Sequence, residues 1–293
     1  MSLQRRVTVV MLTFNRRDEA LTTLARLIAL PGAPSVVAVD NGSSDGTALA
    51  IAAHFPQVRL VRLDRNLGAA GRNHGVARVR TPYVAFSDDD TRWEPGALDH
   101  AADLLDADPA LAVISAHVLV GPHRRDDAAC VPMARSPLGD YGTHGRRILG
   151  FMAGACVMRV DAFRAAGGYS ERLFIGAEEM LLALDLAERG AIMAYCPQVV
   201  TWHDPSPVRD ATGRRWLLAR NAIWIAWMRM PARWAWRLTW KMLRQLRRDR
   251  LLLTGLWRTV RGLAPALAAR RVVSARVIEM WAAVEGPPDV ARS

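Results

Sequence analysis

The chain has 293 residues, of which 51% are hydrophobic and 23% are charged, a globular composition that excludes a disordered or fibrous protein. Its three cysteines, Cys130, Cys156 and Cys196, are odd in number and widely spaced, which disfavours a disulfide framework or a Cys-x-x-Cys metal site. We therefore expect a cytoplasmic protein. The longest stretch without a charged residue, Pro109–His123, has 15 residues and is too short for a membrane-spanning helix.

Positive charge is concentrated in the last third of the chain. Pro205–Ser293 contains 18 basic and 5 acidic residues, a local net charge of +13, and the total of +11 leaves −2 for residues 1–204. Eight of the ten tryptophans lie in the same basic segment. Uniform basicity would favour a nucleic-acid-binding protein, whereas basic residues interleaved with tryptophan also fit an anionic membrane surface or a phosphate-bearing acceptor.

The first 200 residues alternate short apolar runs, typical of buried strands, with segments that have helical periodicity. The predicted elements, in chain order, are strand Val7–Asn15, helix Asp18–Leu30, strand Ser35–Asp40, a short helix, strand Val58–Leu63, helix Gly68–Val79, strand Tyr83–Ser87, helix Pro95–Ala107, strand Leu111–Val120, a long loop over Gly121–Arg147, strand Ile148–Val160, a short helix, a helix over about Ala177–Arg189, strand Ala191–His203 and helices from Arg214 onward. This alternation predicts an open, mostly parallel α/β sheet that binds ligands at the carboxyl ends of its strands.

Three consecutive carboxylates follow one of the predicted strands. Asp88, Asp89 and Asp90 repel one another, so their clustering is costly without a cation. Oxygen ligands suit Mg²⁺ or Mn²⁺, which can bridge a protein to substrate phosphates. The alternative is a solvated acidic turn, and the position after an apolar strand favours the metal site. His203 ends a later apolar run and is either a structural histidine or a further metal ligand.

Other polar clusters have both a structural and a functional interpretation. Asp40 opens a sequence typical of an Asx turn, which is the favoured interpretation by itself, but such a carboxylate can also bind a nucleobase. The segment 66–75 is glycine-rich without a Walker or Rossmann fingerprint, and its Arg72 can bind a phosphate or a ribose. Glu178 and Glu179 begin a helix, where acidic residues are common, or one of them acts as a general base.

Taken in order, these motifs resemble those of family 2 glycosyltransferases, which have the GT-A fold. The resemblance covers about Val7–Pro231. It rests on Val9–Arg16, Val39–Gly46, Asn66–Gly75, Ser87–Thr91, Gly154–Arg159, Phe163–Ser170, Glu178–Glu179, Trp202–Pro207 and Arg220–Asn221. The acidic triplet with a distant histidine is similar to that of bacterial rhamnosyl- and galactofuranosyltransferases.

The resemblance implies an enzyme that transfers a sugar, with inversion, from a UDP- or dTDP-linked donor to a hydroxyl of a glycan or lipid-linked acceptor. It implies a GT-A domain over residues 1–213 and a basic, tryptophan-rich helical extension over 214–293. The donor would be bound by Thr13, Asn15, Asp40, Asn66, Gly68, Arg72, Asn73, Asp88 and Asp89. Asp88, Asp90 and His203 would bind Mn²⁺ or Mg²⁺. Glu179 would be the catalytic base, with Glu178 as the alternative because the family usually has Asp at this position.

Several alternatives remain open from the sequence. Glu in place of the usual Asp is compatible with a catalytically silent nucleotide-sugar-binding module, and a nucleotidyltransferase would share the α/β architecture. The near-neutral first part of the chain disfavours a nucleic-acid partner. The C-terminal helices either cap the core with a solvated arginine face or contact an anionic membrane, which would place the protein at the inner face of the cell membrane.

Overall fold

The computed structural model describes residues 2–205 and 211–286. Within them, ten strands form one sheet: β1 (Val7–Thr13), β2 (Ser35–Asp40), β3 (Arg59–Arg62), β4 (Tyr83–Asp88), β5 (Thr91–Trp93), β6 (Leu111–Val120), β7 (Arg125–Asp126), β8 (Arg146–Arg147), β9 (Ala155–Arg159) and β10 (Ile192–His203). The order is β3-β2-β1-β4-β9-β6-β10-β5, with β7 beside β6 and β8 beside β10. The alternation of strands and helices therefore predicted the α/β class correctly.

The sheet has two parallel blocks, β3-β2-β1-β4 and β6-β10. Strand β9 lies between these blocks and is antiparallel to both of its neighbours. The mostly parallel arrangement therefore holds within each block, and the complete sheet is mixed. Apolar periodicity identifies a buried strand but carries no information on its direction, so the sequence could not reveal this feature.

Helices cover the sheet and form the C-terminal part of the protein. They are α1 (Leu3–Arg6), α2 (Arg17–Ile28), α3 (Thr47–His54), α4 (Gly71–Val76), α5 (Ala97–Ala107), α6 (Cys130–Ala134), α7 (Val160–Ala165), α8 (Glu178–Glu188), α9 (Ala211–Arg229), α10 (Ala232–Arg248), α11 (Leu252–Arg261), α12 (Leu263–Ala268) and α13 (Ala275–Glu285). Helix α2 illustrates their design: Ala20, Thr23, Leu24 and Leu27 form one buried stripe at helical spacing. Among the described residues, no helix is both long and apolar enough to cross a bilayer.

The centre of the sheet is an apolar core that places three strand ends side by side. Strand β1 is almost completely buried and pairs with β2 on one side and β4 on the other. The register aligns Thr13 with Asp40, and Leu12 with Asp88. Parallel pairing therefore brings the polar residues that follow these strands to one edge of the sheet.

Two predicted segments differ from the observed elements. Residues 121–147, predicted as a loop, contain β7, α6 and β8, which are too short to produce a periodic pattern. Strand β9, predicted over Ile148–Val160, begins only at Ala155. Gly154, directly before it, lies against the carboxylate of Asp88, where a Cβ would be 2.4 Å from Asp88 Oδ2.

The helices predicted from Arg214 onward are confirmed, and they pack on the sheet domain through α8 and α9. Asp185 of α8 and Arg229 of α9 form a buried, two-point ion pair with N–O distances of 2.6 and 3.0 Å. The boundary at 213/214 falls inside α9, and the division into two domains there stays a prediction. Ser206 and Pro207, part of one motif used in the sequence analysis, lie outside the described residues.

Candidate active site at the carboxyl edge of the sheet

The loops after β1 and β2 are tied together by Asn15. Its backbone N–H donates to Ser43 Oγ at 2.9 Å, and its Oδ1 accepts from the Ser44 N–H at 2.8 Å. Asn15 has a φ of 51°, in the left-handed region that asparagine tolerates better than most residues. The exposed Asn15 thus sets the shape of one end of the cleft.

Asp40 combines the two roles considered for it. Its Oδ1 accepts a hydrogen bond from the Ser43 N–H at 3.1 Å, which is the expected turn interaction. Its Oδ2 is buried and has no hydrogen-bond partner among the described residues. An unsatisfied buried acceptor is costly, so this oxygen is suited to receive a donor from outside the chain.

Asp89 is bound on both oxygens inside the protein. Its Oδ1 accepts from Arg16 Nη1 at 2.9 Å and its Oδ2 from Thr13 Oγ1 at 2.9 Å. Burial raises the pKa of Asp89 to about 6, although Arg16 and Thr13 both act to lower this pKa. Asp89 and Thr13 therefore hold the end of β1 against the acidic turn, in addition to any contact with a donor.

Asp90 and His203 lie together because β5, which follows Asp90, pairs with the end of β10, where His203 lies opposite Thr91. Asp90 Oδ1 is 3.6 Å from His203 Nε2, and Asp90 Oδ2 accepts from Arg16 Nη1 at 3.1 Å. The second imidazole nitrogen, Nδ1, is 3.9 Å from Asp127 Oδ2. Asp90 is 7% exposed, so its carboxylate beside His203 is shielded from solvent.

The three predicted metal ligands have side chains of the kind that bind divalent cations, and two of them lie close together. Two carboxylates and an imidazole are donors that Mn²⁺ and Mg²⁺ accept, and neighbouring ligands of an octahedral ion lie about 3 Å apart. The 3.6 Å separation of Asp90 and His203 is close to this value. Asp88 is directed at Arg72 instead, and among the described residues no three acidic, histidine or cysteine side chains converge as a ready-made site.

Arg72 contacts the acidic turn, and its charge interacts with the two glutamates in the first turn of α8. Its guanidinium contacts Asp88, is 5% exposed and lies 5.7 Å from the centre of the Tyr169 ring. Burial lowers the pKa of Arg72, but Asp88, Tyr169, Glu178 and Glu179 together raise this pKa by more, so the net shift is upward. Asp88, Glu178 and Glu179 therefore all stabilise the charged form of this buried arginine.

The two candidate bases differ in accessibility. Glu178 is 4% exposed, whereas Glu179 is partly exposed. Ala177 precedes them with a φ of 64°, so the chain enters α8 through a sharp turn. The partly exposed Glu179 is the better placed of the two to meet an acceptor from solvent.

The loop 173–177 before α8 is held from two sides. On one side, the Ala69 N–H donates to the Phe174 carbonyl at 2.7 Å, and a Cβ on Gly68 would be only 2.0 Å from that oxygen. On the other side, Asn221 Nδ2 of α9 lies 2.9 Å from the Leu173 carbonyl and 3.1 Å from that of Ile175. Only glycine fits at position 68, and Asn221 links the C-terminal helices to the candidate base.

Two of the predicted donor-binding asparagines support the backbone in this structure. Asn66 Oδ1 accepts from Asn41 Nδ2 at 2.9 Å and from the Gly68 N–H at 2.8 Å. Asn73 binds both the N–H and the carbonyl of Tyr169, at 2.9 and 2.8 Å, and so fixes the turn after Gly167 and Gly168. Their geometry shapes the glycine-rich segment, and their contact with a donor stays a prediction.

Sequence reasoning assigned no role to three residues that organise this site: Arg16, Asp127 and Asn221. Arg16 and Asn221 belong to motifs that the sequence analysis quoted, and their position directly after β1 and within α9 is the available signal. Asp127 lies in the segment predicted as a long loop with a functional role, where periodicity offers no signal for a particular residue.

A model of the family described as "Glycosyl transferase family 2" matches residues 8–165, more than half of the chain. The chain belongs to glycosyltransferase family 2. It is therefore a glycosyltransferase, and this assignment supports the enzyme over a nucleotidyltransferase of related fold. The matched region contains the ends of β1, β2 and β4 with the acidic triplet, and it ends before α8.

Among curated proteins, this glycosyltransferase is similar to an N-acetylglucosaminyl-diphospho-decaprenol L-rhamnosyltransferase of Mycobacterium tuberculosis. The two are 27% identical over 277 residues, which cover 78% of this chain and 88% of the relative. It is also similar to the succinoglycan biosynthesis protein ExoO of Rhizobium meliloti, with 36% identity over 34% of this chain and 30% of the relative.

Solved structures confirm the GT-A fold. A mannosyltransferase of Pyrobaculum calidifontis in complex with GDP-Man and Mn²⁺ has a TM-score of 0.59 and 21% identity, over 90% of this chain and 85% of the other. TarS of S. aureus, residues 1–349 in complex with UDP, has a TM-score of 0.54 and 19% identity, over 74% and 65% of the two chains. At these identities, the likeness concerns the fold.

Proposed function

We propose that this glycosyltransferase moves a sugar, with inversion, from a UDP- or dTDP-linked donor to a hydroxyl of a lipid-linked glycan at the inner face of the cell membrane. The observation that carries the proposal is the buried Arg72, whose guanidinium contacts Asp88 and whose pKa is also raised by the charges of Glu178 and Glu179. A donor diphosphate beside Asp88 would then lie close to a base. The likeness to a rhamnosyltransferase with a diphospho-decaprenol acceptor supports the substrate class.

Asp40 would bind the nucleobase. The buried Oδ2 of this residue needs a donor, and a pyrimidine ring N–H supplies one. Asn15, which shapes the adjoining loop, and the glycine-rich segment around Gly68 would line the nucleotide and sugar side. Arg72 would balance the negative charge of the donor, because its cation already faces this part of the cleft.

Asp90 and His203 would hold Mn²⁺ or Mg²⁺, with Asp88 as a further ligand. When bound, such an ion neutralises the charge that develops on the departing diphosphate. Glu179 takes the proton of the acceptor hydroxyl through a carboxylate oxygen. The acceptor oxygen then bonds to the anomeric carbon on the face opposite the diphosphate, the bond between this carbon and the phosphate oxygen breaks, and the nucleoside diphosphate leaves.

A donor screen tests this proposal. The full chain is incubated with UDP- or dTDP-linked sugars, a polyprenyl-diphosphate-linked N-acetylglucosamine and Mn²⁺, and the release of nucleoside diphosphate is measured with the formation of labelled lipid. We expect product with one nucleotide class and a loss of product in EDTA. Donor binding without product formation for any acceptor would favour the silent binding module. Product with a nucleoside triphosphate and a sugar phosphate instead would overturn the proposal.

A further inference from the structure

Helix α10 has an outward side on which arginine and tryptophan alternate. At 100° per residue, one arc of about 100° contains Arg233, Trp236, Arg237, Trp240, Arg244 and Arg247. Trp236 and Trp240 are 54% and 58% exposed. The opposite side of the same helix is buried through Trp234, Ala235, Leu238 and Leu246. Trp236 also meets the ring of Trp227 on α9, with the ring centres 5.1 Å apart, so it both packs on α9 and faces outward beside Trp240.

Helix α11 follows after three residues, contacts α10 and adds an apolar patch. Leu256, Trp257 and Val260 are 41%, 66% and 60% exposed. We call the residues Arg233, Trp236, Trp240, Arg244, Arg247, Leu256, Trp257 and Val260 the Trp–Arg face. Leu256, Trp257 and Val260 share one side of α11, within an arc of about 100°, and exposed apolar side chains clustered in this way mark an interaction site.

Within residues 2–205 and 211–286, the arginines of the Trp–Arg face form no ion pair. In the part of the chain that the structure describes, Arg233, Arg244 and Arg247 have no carboxylate within 4 Å. Lys241 of the same helix, which lies outside this arc, pairs with Glu285 at 2.8 Å. The fold therefore pairs Lys241, the cation beside the face, with Glu285, and it leaves the arginines on the face available to an external anion.

The charge and the chemistry of this face favour one kind of binding partner over the others. Pro205–Ser293 has a local net charge of +13, so a second copy of the chain meeting the same face would be repelled. Nucleic acid would stack on the tryptophans and pair with the arginines, but it offers no apolar environment for Leu256 and Val260. An anionic bilayer offers both, since arginine and tryptophan favour the headgroup region and aliphatic side chains enter the acyl boundary.

We propose that the Trp–Arg face docks this glycosyltransferase on an anionic lipid bilayer. With α10 and α11 in the plane of the surface, the enzyme is held where a lipid-linked acceptor is exposed to it. This inference deepens the proposed function by naming the surface that reaches the lipid. Docking itself requires neither a sugar donor nor an acceptor, so its failure can be distinguished from a failure of the proposed reaction.

Vesicle flotation of the full chain tests the docking. One set of vesicles is phosphatidylcholine, and the other is an equal mixture of phosphatidylcholine and phosphatidylglycerol. We expect binding to the mixture only, weakening as the ionic strength rises. Because each basic residue contributes roughly a factor of five near an anionic surface, Arg233→Gln/Arg244→Gln/Arg247→Gln should lower the partition coefficient about 100-fold.

Matched variants separate a docking face from general positive charge. Arg59→Gln/Arg62→Gln/Arg80→Gln removes three exposed arginines elsewhere, and we expect it to bind vesicles far better than the triple variant of the face. For the apolar part, Trp240→Ser/Trp257→Ser is compared with Leu49→Ser, which removes a side chain that is 73% exposed on α3. We expect only the tryptophan variant to lose binding.

Four results would overturn the inference. They are equal binding to both vesicle types, equal losses in the face variants and their controls, a dimer in solution that Trp240→Ser/Trp257→Ser dissociates, and RNA that displaces the protein from vesicles through the same arginines. A glycosyltransferase that floats with anionic vesicles but transfers no sugar would retain the docking and refute the proposed reaction.

Discussion

Arginine has opposite surroundings in two regions of this glycosyltransferase. At the carboxyl edge of the sheet, Arg16 bridges two carboxylates and the buried Arg72 contacts a third. On α10, Arg233 and Arg244 are exposed and have no carboxylate within 4 Å among the described residues. Cations paired inside the protein shape a cleft, whereas unpaired cations on the surface are available to a partner. Four substitutions test this distinction.

The largest effect is expected at Glu179, the proposed base. Glu179→Gln keeps the size of the side chain but removes its ability to accept a proton, so kcat should fall by about 100- to 10,000-fold, with donor affinity little changed. Initial rates and donor titration measure the two quantities. Glu178→Gln is the matched control, because that residue is buried and should affect turnover less. A greater loss of kcat in the control would assign the base to Glu178.

The ion pair between α8 and α9 joins the two regions. Asp185→Ala leaves the buried Arg229 without its two-point partner, which should lower the free energy of unfolding by about 3–5 kcal/mol. Denaturant titration measures this loss. Asp185→Leu/Arg229→Met removes both charges and should recover most of it. A loss below about 1 kcal/mol in the single variant would mean that the pair does not hold α9 on the domain.

Asn221 also acts between the regions, through the loop that precedes the base. Asn221→Ala removes the donor to the carbonyls of Leu173 and Ile175, so the first turn of α8 should shift and kcat should fall roughly 10- to 100-fold. The donor dissociation constant should change much less. Alanine favours a helix more than asparagine does, so α9 itself is not weakened. An unchanged kcat would remove Asn221 from the positioning of the loop.

The smallest effect is expected at Lys241. Its ion pair with Glu285 is exposed, and such pairs contribute about 0–1 kcal/mol. Lys241→Met should therefore change the free energy of unfolding by less than about 1 kcal/mol, as measured in the same titration. A larger loss would show that the pairing of α10 with α13 is structural, contrary to the contrast between internal and surface cations.

Features that depend on neighbouring residues could be predicted from the sequence. Apolar runs and turn residues are local signals, so the predictions of strands β1, β2, β4 and β10, and of polar residues at their ends, agree with the structure. The family model that matches the chain confirms the family resemblance. The sequence could show it because the motifs are short and occur in order. Asp40 shows the limit of such signals. The sequence allowed either a turn residue or a binding residue, whereas in the structure Oδ1 makes the turn hydrogen bond and Oδ2 is buried without a partner among the described residues.

Features that depend on strand order could not be predicted. The direction of β9 and the contact of Arg72 with Asp88 arise when distant segments meet. The different burial of Glu178 and Glu179 likewise depends on the packing around α8. The composition of the C-terminal segment indicated a basic, tryptophan-rich region, but only the orientation of α10 separates its buried tryptophan, Trp234, from the exposed ones.

The most direct test of the catalytic arrangement is the anomeric configuration of the product. The proposed single base opposite the leaving diphosphate would permit one displacement, so the account predicts inversion at the anomeric carbon of the transferred sugar. Wild-type enzyme is incubated with its nucleotide-sugar donor and lipid-linked acceptor, and the one-bond carbon–hydrogen coupling at the anomeric centre of the product is measured by NMR. We expect the configuration opposite to that of the donor. A product with the donor's configuration would contradict the role of Glu179 as the base.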